Sequence, residues 1–153
     1  MKVLITGHKG YIGTVLVPML LEEGHELHGI DSDLYQKCTF GKVEVFENFE
    51  IPYLKKDIRD IELSDLEGFD TVLHLAGLSN DPLGNLNPKL TYDINYHASV
   101  HLAKLSKKAG IKRFVFSSSC STYGSAGDEF IDESASFNPV TTYGESKALA
   151  EID

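Results

Sequence analysis

Positive charge is scarce in this sequence: 14 Lys and Arg stand against 23 Asp and Glu in 153 residues, a formal net charge of -9. A chain with that balance is repelled by phosphate backbones and by anionic lipid, which removes nucleic acid and membrane from its expected partners. Sulfur is scarcer still. The two cysteines, Cys38 and Cys120, lie far apart with neither a CxxC nor a Cys/His ligand spacing, so reduced thiols, no disulfide and no metal are expected. No run of 18 apolar residues occurs, and the four apolar residues before Gly7 are too few for a signal-peptide core. These absences point to the cytoplasm. Repeats, low-complexity tracts and linkers are lacking too, so no domain boundary is expected inside the chain.

What is present is ordinary for one globular domain: 42% hydrophobic and 24% charged residues. Short β-rich runs at 2–6, 26–30, 52–55, 71–75 and 113–116 alternate with helix-like segments at 11–23, 61–66, 88–109 and from 142 onward. That alternation predicts a parallel α/β sheet, a Rossmann-type doubly wound fold with helices on both faces. In the first helix Ile12, Val15, Leu16, Met19 and Leu20 follow the spacing of a face packed on a sheet, with Pro18 as a kink and Gly24 as a stop. In the long helix Ala98, Leu102, Leu105 and Ala109 predict a stripe turned to the sheet. Residues 32 to 51 have no clear period.

Gly7, Gly10 and Gly13 stand behind the first strand and open the first helix. There a first glycine permits a tight turn, a second lets backbone approach a pyrophosphate, and a third lets helix and strand pack, with the helix N-terminus aimed at the anion. Asp31 ends the second predicted strand 18 residues past Gly13, where a carboxylate can hydrogen-bond an adenosine ribose. Tyr143 and Lys147, four apart, share a helix face, and an ammonium beside a phenol favours the phenolate.

With these motifs the sequence resembles the extended short-chain dehydrogenases/reductases, in the NAD-dependent epimerase/dehydratase group that acts on nucleotide sugars. The resemblance runs through "TGHKGYIG" at 6–13, "KDIRD" at 56–60, "HLAGL" at 74–78, "YDIN" at 92–95, "FVFSSSCSTYG" at 114–124 and "YGESK" at 143–147. It implies that Gly7, Gly10, Tyr11, Ile12 and Gly13 cradle NAD, Asp31 and Ser32 its ribose, Asp57 and Ile58 its adenine, and Leu75, Ala76 and Gly77 its central portion. Ser117, Tyr143 and Lys147 would also meet the cofactor, and Asn95 would organise the active site beside it. The chemistry would fall to Ser119, Tyr143 and Lys147: the phenolate takes a proton from a sugar hydroxyl while hydride leaves the same carbon, and the serine holds the oxygen.

In the family's 4,6-dehydratases, Asp and Glu typically follow the catalytic Ser or Thr; here Cys120 and Ser121 stand there. The resemblance therefore leans to an isomerase, a nucleotide-sugar epimerase, with a dehydratase or reductase as the alternative and a non-catalytic NAD-binding module as another. "SNDPLG" at 79–84 departs from the epimerase pattern. Lys9 could meet phosphate or solvent; were it to reach a 2′-phosphate it would favour NADP, which Asp31 opposes, so NAD is expected. His97 and His101 have ligand spacing but no third ligand, and read as surface or packing residues. Cys120 reads as an inert buried thiol. Family members continue for more than a hundred further residues, so the sequence reads as the N-terminal part of a longer, homodimeric enzyme, inactive and prone to associate by itself.

Overall fold

The computed structural model describes residues 1–36, 50–125 and 130–153. Cys38 and most of the stretch without a period therefore lie outside the described residues. Five strands form one parallel sheet: β1 (Lys2–Thr6), β2 (Glu26–Asp31), β3 (Tyr53–Lys55), β4 (Thr71–His74) and β5 (Arg113–Phe116), in the order β3-β2-β1-β4-β5. Order reverses at β1, which pairs with β2 on one side (Leu4 opposite His28) and with β4 on the other (Leu4 opposite Val72). In open α/β sheets ligands bind outside the carboxyl ends of the strands at such a reversal. This is the expected Rossmann-like fold.

Two compact units make up the described chain, Met1–Ala76 with Leu102–Ser117 and Gly77–His101 with Ser118–Asp153. The first holds the whole sheet and α1 (Tyr11–Glu22). Val3, Ile5, Leu27 and Ile51 pack with Val17 into a core joined by Leu20, Leu21, Leu73 and Leu75. β1 is apolar on both faces because it is buried on both, as an interior parallel strand must be. The helix face differs from the one its spacing suggests. Ile12, Val15 and Met19 are more than half exposed, and Gly13 and Val17 are the buried residues. A Cβ on Gly13 would come within 2.3 Å of the His8 carbonyl oxygen, so the glycine must face the loop and sets the helix rotation. α1 runs through Pro18 and ends where Gly24, at φ +75°, donates to Leu21 O at 3.0 Å.

The second unit is helical. α2 (Asp81–Leu86), absent from the sequence expectation, is capped by Asn80, whose Oδ1 accepts from Leu83 N at 2.9 Å. The expected helix over 88–109 is three pieces: α3 (Pro88–Thr91), a π-helical stretch Tyr92–His97, and α4 (Ala98–Lys108), which from Leu102 onward belongs to the first unit. Ala98 and Leu102 of the expected stripe are buried. α5 (Thr142–Ile152) starts at Thr141, whose Oγ1 accepts from Gly144 N at 3.1 Å. The helix expected over 61–66 is a 3-10 turn, Leu63–Leu66, and a further one spans Ile58–Asp60. Among the described residues no helix is long and apolar enough to cross a membrane, and no cluster of His, Cys, Asp and Glu could hold a metal ion.

Candidate active site

At the carboxyl end of β1 the chain turns so tightly that only glycine fits. Gly7 has φ +72° and donates its N–H to Ile30 O at 2.8 Å; a Cβ there would lie 2.8 Å from the backbone of Ala76. The ends of β1 and β4 thus touch, helped by Leu75 N donating to Thr6 O at 3.1 Å and Ala76 N to Thr6 Oγ1 at 3.3 Å. Gly10 is the N-cap of α1, without a side-chain cap and without an acidic residue in the first turn. The first-turn N–H groups are therefore left for an anion, with Tyr11 and Ile12 exposed beside them. A cradle that Cβ atoms would fill, ending at an uncapped helix, fits a dinucleotide pyrophosphate.

Asp31 closes β2 beside this loop. Its Oδ2 accepts from Lys9 N at 3.1 Å and its Oδ1 from Asp33 N at 2.9 Å, so both oxygens brace backbone, and Ser32 between them is exposed. The Asp57 carboxylate accepts from Arg59 Nε at 3.0 Å and Nη2 at 2.7 Å, which holds it below the usual carboxylate range. Ile58 is buried. Ser117 N continues the sheet by donating to His74 O at 3.1 Å.

The second unit brings together Gly77, Asn95, Ser119, Tyr143 and Lys147. Ser119 caps a 3-10 turn, Cys120–Thr122, its Oγ accepting from Ser121 N at 3.1 Å. That turn abuts α5: a Cβ on Gly144 would lie 2.5 Å from Ser121 O, so glycine between Tyr143 and Glu145 is what lets the serine turn reach the tyrosine turn. Lys147 is 5% exposed, and burial pushes its ammonium down to about 8 against the pull of Glu151. Its Nζ would be 3.8 Å from a Cβ on Gly77. Asn95, inside the π-helical stretch and fully buried, uses its amide on protein. Its Oδ1 accepts from Leu78 N at 2.8 Å, and its Nδ2 donates to Leu78 O at 2.9 Å and to Ser146 Oγ at 3.3 Å. It ties the segment after β4 to α5. Cys120 is exposed, contrary to the expectation of a buried thiol, because it sits on the outside of its turn.

Four further residues shape these surroundings: His8, Asp33, Asp81 and Gly84. His8 is buried under the glycine loop with Nδ1 3.9 Å from Asp31 Oδ2, and burial pushes its imidazole below its ordinary value. Asp33 holds Lys9 Nζ at 2.8 Å. Asp81 accepts from Thr141 Oγ1 at 2.6 Å, and Gly84 leaves room for Tyr143, whose Cβ would be 3.3 Å from a Cβ placed there. The "SNDPLG" segment thus caps and starts a helix docked against the first turn of α5; the asparagine cap and the proline behind it were its signal in the sequence.

Comparison with known proteins agrees in extent and in kind. A family model described as the NAD dependent epimerase/dehydratase family matches residues 3–152. A UDP-glucose 4-epimerase of Lactobacillus helveticus is 35% identical over 99% of this chain and 45% of its own length. Among solved structures, a UDP-glucose-4-epimerase from Stenotrophomonas maltophila with bound NAD superposes with a TM-score of 0.86 at 29% identity, over 99% of this chain and 47% of that one. A dTDP-glucose 4,6-dehydratase from Streptomyces venezuelae with NAD bound does so with a TM-score of 0.85 at 26% identity, over 99% and 50%. The chain spans about half the length of the curated relatives it matches.

Proposed function

Because the chain belongs to the NAD dependent epimerase/dehydratase family, we propose that it is the cofactor-binding and catalytic part of an NAD-dependent nucleotide-sugar epimerase. The observation that carries this reading is the pairing, on one face of α5, of Tyr143 with a lysine so desolvated that it titrates at about 8. A structural lysine is seldom buried. A buried lysine one helical turn from a tyrosine hydroxyl sets a candidate general base for a sugar hydroxyl beside a built-in cation.

Gly7, Gly10, Gly13 and the start of α1 hold the pyrophosphate of NAD, and Asp31 the adenosine ribose. Leu75, Ala76 and Ser117 line the strand ends, Gly77 stands before Lys147, and the backbone at Asp57 and Ile58 is left for adenine. When bound, NAD supplies an acceptor for hydride and gives it back. Tyr143 removes the hydroxyl proton and later returns it, Ser119 hydrogen-bonds the oxygen, and Lys147 stands one helical turn from Tyr143 on the same face of α5. Cys120 and Ser121 stand in place of the Asp and Glu that typically supply acid and base for removing water in the family's 4,6-dehydratases. The sugar, its nucleotide, a cytoplasmic setting and a homodimer belong to this proposal.

A panel of nucleotide sugars incubated with the full-length protein and NAD tests it. New sugars of unchanged mass are expected. Products lighter by one water would replace the epimerase reading with the dehydratase one, and absence of any product together with absence of NAD binding would end both.

A further inference from the structure

The glycine loop carries a cation that the proposed chemistry does not use. Lys9 stands just before Gly10, and its Nζ is held twice: by Asp33 Oδ1 at 2.8 Å and over the Tyr53 ring, 3.6 Å from its centroid. The other oxygen of Asp33 accepts from Tyr53 OH at 3.2 Å and faces Lys55 Nζ at 3.3 Å. Asp33 thus collects two ammonium groups, from the glycine loop and from β3. Its side chain is 3% exposed, and it stays ionised because these partners, the Lys9 hydrogen bond first, hold it below the usual carboxylate range. The residue is built in. It has φ +57°, a conformation open to Asp and Asn at little strain, and its N–H donates to Asp31 Oδ1 at 2.9 Å.

This corner is where an adenosine ribose would lie, at the end of β2 beside Asp31. A 2′-hydroxyl asks for an acceptor, which Asp31 provides. A 2′-phosphate asks for cations, and both nearby lysines are bound to a buried carboxylate that also adds to the repulsion from Asp31. We propose that Asp33 sets cofactor choice, acting through Lys9 and Lys55, by withholding from an adenosine 2′-phosphate the two ammonium groups that would otherwise receive it. Asp33 is a positioning residue, not a cofactor ligand. The inference rests on the dinucleotide reading of the glycine loop. It adds that the preference for NAD is held by a carboxylate two residues beyond the one expected to carry it.

Direct titration of the full chain with NAD and with NADP separates the two claims. The wild-type protein is expected to bind NAD more tightly. Asp33→Asn, which keeps the left-handed turn and removes the charge, is expected to tighten NADP binding by about tenfold or more, roughly one charge-assisted hydrogen bond, and to leave NAD within about threefold. Unchanged NADP affinity in a folded Asp33→Asn protein that still binds NAD would overturn the proposal and leave the dinucleotide reading standing. Lys9→Met tests it without touching Asp33. Since Lys9 is already withheld, the NAD-to-NADP ratio should stay within about threefold of wild type, and a shift of about tenfold toward NAD would show Lys9 already serving the 2′-phosphate. Failure of the wild-type chain to bind either dinucleotide would remove the reading and the inference together.

Discussion

Tyr143 and Lys147 share a helix face but differ in what removing them should do. Tyr143→Phe takes away the proton acceptor and keeps the packing, so kcat of the full-length enzyme should fall by roughly 10²-fold or more while NAD affinity survives, read by turnover beside NAD titration. Lys147→Met removes a charge that folding desolvates. With a folded value of about 8 against 10.5 unfolded, the unfolded chain holds more protons between those values, so wild-type stability falls as pH drops through that window and stays lowered below it. The Met variant should lack this loss, so its stability relative to wild type should rise by about 2 to 3 kcal/mol between pH 10 and pH 7, while turnover is lost. Urea denaturation at the two pH values checks this. Their spacing puts these two residues on one helix face, while the roles proposed for them come from the family resemblance. Asp33 and the amide of Asn95 were not legible, since one depends on a left-handed backbone and the other on contacts made by residues 17 and 51 positions away.

At the scale of elements, α2 and α5 meet through a chain of small groups: the Asp81 carboxylate receives the Thr141 hydroxyl, and Thr141 Oγ1 receives Gly144 N. Asp81→Ala should loosen that cap and cost about 1 kcal/mol, visible as a lowered thermal midpoint with the fold retained. Strands were legible to within a residue or so of their observed bounds, β1 and β4 as short apolar runs, while β3, Tyr53–Lys55, is exposed along its length. Helices were harder. The rotation of α1 was missed because apolar residues surround it, and a steric demand at Gly13 decided which of them face inward. α2 was missed because Gly84 and Asn85 are weak helix formers, and its stability comes from capping and docking. The π-helical stretch at Tyr92–His97 has no distinct period to read, although it is what carries Asn95 to Leu78 and Ser146.

For the whole molecule, the ligand is a stability term. A dinucleotide that binds only the folded chain should add about 2.7 kcal/mol at a hundred times its Kd, a rise in thermal midpoint of roughly 5 to 10 °C for a chain of this size. Differential scanning fluorimetry with and without NAD checks it, and an unmoved midpoint at saturating NAD would count against the cofactor reading. The sheet order has a consequence of its own, in the timing of synthesis. β1 leaves the ribosome before the other four described strands and is the central one in their sheet; β2 follows to pair with one edge, but the partner for the other edge, β4, begins about forty residues after β2 ends. At about 5 to 20 residues per second, the inner edge of the nascent sheet stays bare for roughly 2 to 8 s, open to neighbouring chains on the same message. The strand that anchors the cofactor loop is thus the one a chaperone has most reason to cover during translation.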